Sequence, residues 1–348
     1  MRLTKEKARE NLAKLVQKFK SEMDSGRAQE YNEEETKHSF IEPFLKDVLG
    51  WDVANHDEVG YEHPTSRGRV DYSLKTDGKI KLFIEAKPIH VDLGRHIPQA
   101  VGYGYSRKDV PFVLLTDFEG IKLFDVTIKP SARNLRKGLK LDLSWQEYEK
   151  EFDRLWLLSK ESVAKGELDK LLLVKPKDRL PVDKAILEDL KQWREVLAKD
   201  IYRNNPELFS SKDLEKAGQY LKEITQKILD RLIFTRFCED RRLTHITSLK
   251  DSFEERTEAL GAKAYGVILK DKFKQYQILF NSDLFAVQDW EGDLKLDFSI
   301  ICDIVLAAYD PYQFDVIPLE VIGNIYEQYL GYTIRLTGQQ VKYELKPD

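Results

Sequence analysis

Two acidic residues and a lysine follow short apolar segments at a spacing that could hold a metal ion beside a phosphodiester. Asp71 comes directly after Val70, and Glu85 and Lys87 end the next apolar segment along the chain. Carboxylate oxygens are the ligands that Mg²⁺ prefers. A bound ion can activate water and neutralise charge on the phosphate, and a lysine beside it can stabilise the transition state electrostatically. These residue types therefore indicate metal-dependent hydrolysis of a phosphodiester.

The elements that must position these residues are two β-strands joined by a turn. In the segment 80–87 the alternation of apolar and polar residues puts Glu85 and Lys87 on one face and the apolar residues on the other. The apolar face of the preceding segment consists of Val70, Tyr72 and Leu74. Asp71 points away from that face.

The loop between the two strands decides whether Asp71 can meet Glu85. A two-residue turn at Asp77-Gly78 would place Asp71 opposite Ile84, on the wrong face of the sheet. A loop with an odd number of residues, centred on Gly78, would place Asp71 directly opposite Glu85. We predict the odd loop, because the chemistry requires both carboxylates on one face.

The same pattern also fits a surface hairpin that carries ordinary charges. Charged residues make up 33% of the chain, so an aspartate followed by Glu-x-Lys will also occur by chance. Two observations favour the functional interpretation. Apolar residues lead directly into Glu85, and a helical segment from Asp92 to Ser106 follows it.

The composition limits the classes of protein to consider. The chain has 348 residues, which suggests two domains, and a net charge of −4 from 56 basic and 60 acidic residues. A nucleic-acid-binding protein with this charge must cluster its basic residues. Cys238 and Cys302 lie far apart, which is typical of a reducing, cytoplasmic setting. The sequence has no apolar run long enough to span a membrane and no histidine spacing typical of a zinc site.

The order of predicted elements indicates an α/β domain followed by a mainly α-helical domain. Residues 1–130 are predicted to place helices around a mixed sheet, in which the helix between Lys87 and Val110 makes the flanking strands parallel neighbours. A further strand is expected to begin at Trp51, and residues 62–68 are expected to form a turn. We assign residues 131–182 to a basic linker and a connecting helix. Residues 183–348 are assigned to a helical connector that ends with a short strand pair.

Several stretches resemble, in the right order, the nuclease domain of the PD-(D/E)xK superfamily. The matching stretches are Glu35-Thr36, Ile41-Glu42-Pro43-Phe44-Leu45, Leu49-Gly50-Trp51-Asp52-Val53, Gly68-Arg69-Val70-Asp71-Tyr72, Phe83-Ile84-Glu85-Ala86-Lys87-Pro88, Gln99-Ala100-Val101-Gly102-Tyr103 and Leu114-Leu115-Thr116-Asp117-Phe118-Glu119-Gly120. They are most similar to the version at the N-terminus of type I restriction motor subunits and of fused, type IIG-like restriction–modification enzymes. The resemblance implies a restriction-endonuclease-like fold. The family's proline before the aspartate is Val70 here, which removes no ligand.

The resemblance also implies a role for each matching residue. Asp71 and Glu85 would bind Mg²⁺, for which Mn²⁺ could substitute, and the Ala86 carbonyl would be a further ligand. Lys87 would be the catalytic lysine. Glu35 would be the helix acid that approaches the metal directly or through water, although it also fits an ordinary solvated helix face.

Residues outside this group are candidates for DNA contact. Gln99 and Tyr103 match a Gln-x-x-x-Tyr motif that contacts DNA or supports the site in the family, although Tyr103 could instead pack against the sheet. A basic cluster lies in the segment 129–140, which has no acidic residue. Its members Lys129, Arg133, Arg136 and Lys137 fit either contact with the DNA backbone or a solvated linker.

The second half of the chain carries its own resemblance. Segments 229–243 and 317–330 are similar to the connector of fused restriction–methylation enzymes and to the segment just before their methyltransferase domain. The sequence contains no Asn-Pro-Pro-Tyr motif and no glycine-rich loop after a strand. We therefore expect S-adenosylmethionine to bind only a methyltransferase region absent from this chain. The chain would be the N-terminal portion of a longer enzyme or a natural truncation.

The leading hypothesis is a Mg²⁺-dependent endonuclease of a restriction–modification system that acts on double-stranded DNA. Its partners would be methyltransferase and target-recognition domains. A transient dimer on DNA is also expected, because one active site cuts one strand. Two alternatives remain open at this point. One is a DNA-holding or subunit-docking module whose nuclease centre is silent in isolation, and the other is a structure-specific repair nuclease on the same fold.

Overall fold

The structure, a computed structural model, consists of two compact units, Met1–Pro181 and Val182–Asp348. It describes residues 3–65, 68–107, 109–130, 134, 136–174, 178, 180–254, 268–292, 294–309, 312, 314, 317, 319–337 and 340–345. The first unit holds a mixed six-stranded sheet flanked by helices, and the second is mainly helical. This architecture confirms the predicted fold class.

The sheet of the first unit runs in the order β1-β2-β3-β4-β5-β6. Its strands are β1 Val59–Thr65, β2 Gly68–Thr76, β3 Lys79–Ala86, β4 Phe112–Thr116, β5 Gly120–Asp125 and β6 Leu139–Ser144. Strands β3 and β4 are parallel, and all other neighbours are antiparallel. The parallel pair was predicted from the helix that joins it, which is α3, Ile97–Ser106.

Helices cover both faces of this sheet. The longest helix of the first unit is α1, Lys5–Asp24, and α2, Glu33–Thr36, continues as π-helical turns at Lys37–Ile41 and Phe44–Val48. The shorter helices are α4 Phe152–Leu155 and α5 Lys160–Ala164, with 3₁₀ turns at Arg27–Glu30, Leu93–His96, Trp145–Glu147, Trp156–Leu158 and Leu168–Leu171. Side chains from α1 and the π-helical turns pack on one face of the sheet, and α3 packs on the other.

The strand alternation agrees with this packing in β3 and only partly in β2. Leu82 and Ile84 lie in the core beneath α1, whereas Phe83 lies in the core beneath α3. Tyr72 also belongs to the core beneath α1, but Val70 belongs to the core beneath α3. The expected common face of Val70, Tyr72 and Leu74 is therefore interrupted at Val70.

In the β2–β3 hairpin a bulge, and not an odd loop, produces the predicted register. Thr76 pairs with Lys79, so the turn has two residues and the prediction of an odd loop is wrong. A bulge opposite Leu74 and Lys75 then adds one residue to β3, and beyond it Tyr72 pairs with Ile84. A bulge shifts the pairing by one position, which exchanges the faces that meet. Continuing this register places Asp71 opposite Glu85.

Two strands were absent from the sequence interpretation, and one expected strand does not form. Residues 62–65, expected to be a turn, belong to β1, and residues 139–144, assigned to the linker, form β6. Strand β6 extends the sheet beyond residue 130 because Leu141 and Leu143 alternate with polar residues and are buried. Trp51 lies in a loop, where its indole Nε1 donates to the Leu158 carbonyl at 3.0 Å.

The second unit is built from helices and ends in a hairpin. Its helices are α6 Val182–Asn204, α7 Leu214–Asp240, α8 Leu249–Glu254, α9 Lys270–Phe280, α10 Phe298–Tyr309 and α11 Leu319–Leu330, with 3₁₀ turns at Pro206–Leu208 and Asp289–Glu291. The expected strand pair is β7 Tyr332–Thr337 with β8 Gln340–Leu345. In the described part of the chain, no helix combines the length and apolar character that crossing a membrane requires.

Two arginines of helix α7 form buried ion pairs. Arg231 pairs with Glu291 at 2.9 Å, and Arg236 pairs with Asp240 at 2.6 Å. Both arginine side chains are buried, so they do not present charge to a phosphate. Cys238 is buried as well.

Candidate active site

The site lies where β3 ends and β2 begins, at one end of these two interior strands of the sheet. Strand β2 carries Asp71, strand β3 carries Glu85 and Ala86, and Lys87 follows directly. The backbone amide of Lys87 donates to the Thr116 carbonyl at 2.9 Å, which ties the residue to the end of β4. The antiparallel and parallel neighbours of β3 thus hold its carboxyl end in place.

Both carboxylate oxygens of Asp71 are engaged by the protein. Oδ2 accepts a hydrogen bond from the Ala86 amide at 2.8 Å, and Oδ1 forms an ion pair with the Lys37 ammonium. The side chain is only 10% exposed. Burial raises the pKa of Asp71 above its usual value, and the Lys37 and Ala86 hydrogen bonds oppose that effect.

Glu85 is buried more deeply and has one unoccupied oxygen. Its Oε1 lies 2.6 Å from the Lys87 ammonium and 3.5 Å from the Gln99 amide nitrogen. Its Oε2 is buried and accepts no hydrogen bond from the described residues. Burial raises the pKa of Glu85 to about 7, although the charge of Lys87 acts in the opposite direction.

Lys87 is held as a buried cation by the carboxylates around it. Burial alone would lower its pKa, but the charge of Glu85 and their hydrogen bond raise it above the ordinary lysine value. Glu33 Oε2 lies 3.9 Å from the same ammonium. Lys87 is therefore positively charged at neutral pH and lies beside the carboxylates, as its predicted role requires.

The helix acid that approaches the site is Glu33, whereas Glu35 was predicted. Glu35 is exposed, and its carboxylate accepts from the Asn32 amide at 2.8 Å, which completes a capping box at the start of α2. A signal was present in the sequence, because Asn followed three residues later by Glu is the capping-box pattern. The metal-site role of Glu35 is not supported by this position.

Sequence reasoning also missed Lys37, which lies one turn after Glu33. Its ammonium contacts Glu33 at 3.0 Å and Glu34 at 2.9 Å in addition to Asp71. The spacing of four residues from Glu33 was the available signal, because side chains at that separation share a helix face. The widened π-helical turns begin at this residue.

Between the π-helical turns lies a proline, which has no backbone N–H to donate. Pro43 has no N–H to offer the Ser39 carbonyl, which accepts instead from the Lys18 ammonium at 3.0 Å. Helix α1 thereby supplies a donor to this carbonyl. Such π-type turns are frequently found at functional sites.

Helix α3 contributes the predicted glutamine and tyrosine to the same centre. Gln99 Nε2 lies 3.1 Å from the Tyr103 hydroxyl and 3.5 Å from Glu85 Oε1. Tyr103 is buried in the core beneath α3. Gln99 and Tyr103 therefore support Glu85 from helix α3. Tyr103 packs against the sheet, which was the alternative to DNA contact.

The basic residues predicted to contact DNA are not brought to this centre. Lys129, Arg136 and Lys137 lie in the connection from β5 to β6, at the end of the strands opposite the site. Arg136 pairs with Asp142 at 3.6 Å, and Arg133 falls outside the described residues. A role of this segment in DNA binding stays a prediction.

The donor set suits a hard divalent cation bound partly by water. Asp71, Glu85 and the Ala86 carbonyl offer oxygen atoms, and Mg²⁺ is usually held by one or two carboxylates together with several waters. Glu85 Oε2 has no partner among the described residues and is a buried carboxyl oxygen that a cation would satisfy. Within the described residues there is no cluster of three or more acidic, histidine or cysteine side chains arranged around a metal position.

Comparison with known proteins gives a curated relative and a solved structure. The chain is 26% identical over 362 aligned residues to the type II restriction enzyme and methyltransferase RM.Eco57I of Escherichia coli, which covers 94% of this chain and 33% of that protein. The chain thus spans about a third of the length of the curated relative it matches. The type IIG restriction endonuclease BpuSI matches 84% of this chain and 31% of its own chain at 11% identity, with a TM-score of 0.29. No protein-family model matches the chain.

Proposed function

We propose that the first unit is a Mg²⁺-dependent DNA endonuclease of a restriction–modification system. The observation that carries the proposal is the meeting of Asp71, Glu85 and Lys87 where β3 ends, with a buried Glu85 oxygen that has no partner among the described residues. The similarity to a protein named as both restriction enzyme and methyltransferase supports DNA as the substrate. The six-stranded mixed sheet supports a restriction-endonuclease-like fold for the PD-(D/E)xK motif.

Each residue of the site has a distinct task in this proposal. Asp71, Glu85 and the Ala86 carbonyl would hold the ion, which supplies Lewis-acid activation of water and neutralises charge on the phosphate. The Lys87 ammonium, fixed by Glu85 at 2.6 Å, stabilises the negative charge that develops on the phosphodiester. Gln99 and Tyr103 keep Glu85 oriented from α3. Mn²⁺ is expected to substitute for Mg²⁺, because oxygen ligands suit both ions.

The proposal extends to partners outside this chain. Because the curated relative is about three times longer, we infer that a methyltransferase region, which would use S-adenosylmethionine, and a target-recognition region act together with these two units. A double-strand break by a single-site nuclease needs two copies or two events, so a transient dimer on DNA belongs to the same proposal.

The test is metal-dependent cleavage of supercoiled plasmid DNA by the chain. We expect cleavage with Mg²⁺ or Mn²⁺, none in the presence of a chelator, and a loss of at least about a hundredfold in Lys87→Ala. Lys122→Ala, which removes a lysine paired with Asp142 on the same sheet, is the matched control and should cleave like the parent. Equal cleavage by parent and Lys87→Ala would refute the proposed site.

One observation favours a second candidate, a DNA-holding module with a silent nuclease centre. Both oxygens of Asp71 are already engaged by the protein, so the centre as described is closed to a cation on that side. This candidate predicts salt-dependent DNA binding without cleavage at any Mg²⁺ or Mn²⁺ concentration. Cleavage by the parent with loss in Lys87→Ala would reject it.

A further inference from the structure

Lys37 is a second buried lysine at the site, beside Asp71 as Lys87 is beside Glu85. Its side chain is 11% exposed, and its ammonium contacts Asp71 Oδ1, Glu33 Oε1 and Glu34 Oε1. It enters the site from the first π-helical turn after α2, whereas Lys87 enters from the end of β3. Each of the two central carboxylates therefore has its own lysine.

The two carboxylates differ in their availability to a cation. Glu85 keeps Oε2 without a partner among the described residues, although Lys87 holds Oε1. Asp71 has no such oxygen, because the Ala86 amide holds Oδ2 and the Lys37 ammonium holds Oδ1. Of these two contacts the ammonium is the one that a side-chain rotation can release.

We propose that Lys37 is an internal counter-ion which occupies Asp71 until a divalent cation displaces it. The inference rests on the proposed function, since it assumes that Asp71 binds metal. Lys37 thereby regulates the site: it neutralises the buried carboxylate in the empty enzyme and sets the metal concentration at which the centre is filled. It is a positioning residue and does not contact the substrate.

The helix supplies the partners that make displacement possible. Glu34 and Glu33 precede Lys37 by three and four residues, the separations at which helical side chains pair. Both already contact the ammonium, at 2.9 and 3.0 Å. When a cation takes Asp71, Lys37 keeps these two carboxylates and is not left as an unpaired buried charge.

Charge balance gives the direction of the effect. Four carboxylates, those of Glu33, Glu34, Asp71 and Glu85, surround only two ammonium groups. Lys37→Gln removes one positive charge and frees Asp71 Oδ1. Because like charges a few ångströms apart repel strongly at the low effective dielectric of a buried site, we expect Mn²⁺ to bind at least about tenfold more tightly in this variant.

Titration calorimetry with Mn²⁺ on the 348-residue chain tests the proposal. Lys37→Gln should show the tighter binding, and Lys37→Arg, which keeps the charge, should stay within about threefold of the parent. Lys122→Gln, which removes a paired and largely buried lysine of β5, should leave the affinity unchanged. Equal or weaker Mn²⁺ binding by Lys37→Gln would overturn the proposal.

A second measurement uses the parent chain without any substitution. Acylation of lysines, followed by mass spectrometry, should modify Lys37 faster once Mn²⁺ is added, because the displaced ammonium becomes more accessible. Lys122 is the internal reference and should not change. Protection of Lys37 that is unaffected by saturating Mn²⁺ would contradict displacement.

Thermal unfolding separates this role from a merely structural one. Lys37→Gln should unfold at a lower temperature than the parent in chelator, because Asp71 loses its counter-ion, and the difference should vanish or reverse in Mn²⁺. An equal loss in both conditions would assign Lys37 to structure alone. If the parent and Asp71→Asn bind Mn²⁺ equally, the proposed function fails at this site. If only Asp71→Asn is weakened and Lys37→Gln is not tightened, the Lys37 inference alone fails.

Discussion

Replacing Asp117 with asparagine should change the pH dependence of stability in a predictable direction. Asp117 follows β4, is 3% exposed, and accepts a hydrogen bond from the Gly120 amide at 2.7 Å. Burial raises its pKa from 3.8 to about 7, although the hydrogen bond acts in the opposite direction. An asparagine Oδ1 can accept the same bond from Gly120, so the variant removes the titration and keeps the contact.

The sign of the pH dependence of stability follows from whether the folded or the unfolded chain holds the proton on Asp117. Between pH 4 and pH 7 the folded chain keeps a proton on Asp117 that the unfolded chain releases, so the free energy of unfolding falls as the pH rises through that interval. At about 1.4 kcal/mol per pH unit, the interval from 3.8 to about 7 corresponds to at most about 4 kcal/mol. Asp117→Asn should therefore gain stability relative to the parent from pH 4 to pH 7 and show no further gain above pH 7.

Amide hydrogen exchange of β4 and β5 measures this difference locally. Parent and variant are compared at each pH, so that the intrinsic dependence of exchange on pH cancels, and slower exchange in the variant reports higher opening free energy. Asp142→Asn is the control, because that carboxyl lies on the same sheet with 36% of its side chain exposed. A difference between parent and Asp117→Asn that is constant from pH 4 to pH 8 would refute the reasoning.

Three further predictions concern the site and its support. Glu33→Gln should weaken Mn²⁺ binding measured by calorimetry. Glu35→Ala should leave Mn²⁺ binding unchanged. Because Glu35→Ala breaks the capping box, it should lower the free energy of unfolding by about 1 kcal/mol. Gln99→Leu should lower kcat/KM for DNA cleavage by about fivefold to tenfold through loss of its hydrogen bonds to Glu85 and Tyr103, and an unchanged value would show that these bonds have no role. Gly104→Ala should destabilise the chain to urea by about 1–3 kcal/mol, since its Cβ would lie 2.3 Å from Val113 Cγ2; undiminished stability would show that α3 can shift on β4.

The sequence predicted the parts of the fold in which alternation and length leave little choice. Strand β3 alternates cleanly, so the common face of Glu85 and Lys87 followed from spacing alone. The helix between Lys87 and Val110 required a crossover, which made β3 and β4 parallel. Strand β6 offered the same kind of signal in Leu139, Leu141 and Leu143, but the basic residues before it led to its assignment as linker.

The remaining differences between the prediction and the structure arise from features that a periodic pattern does not reveal. The bulge in β3 changes the pairing by one residue without altering the composition of the strand, so the turn at Asp77-Gly78 was predicted with the wrong length. Strand β1 is polar along residues 62–65, which resembled a turn. Among three consecutive glutamates the metal-site role was assigned to Glu35, although the capping-box spacing of Asn32 and Glu35 already indicated a capping role.

The most direct test of the account is to locate a Mn²⁺ ion in the chain by anomalous X-ray diffraction. We predict one strong anomalous peak within bonding distance of oxygens from Asp71 and Glu85, with the Lys37 ammonium turned away toward Glu33 and Glu34. No peak at this centre under saturating Mn²⁺, or a peak bound by other residues of the chain, would contradict the assignment of Asp71 and Glu85 as the metal ligands.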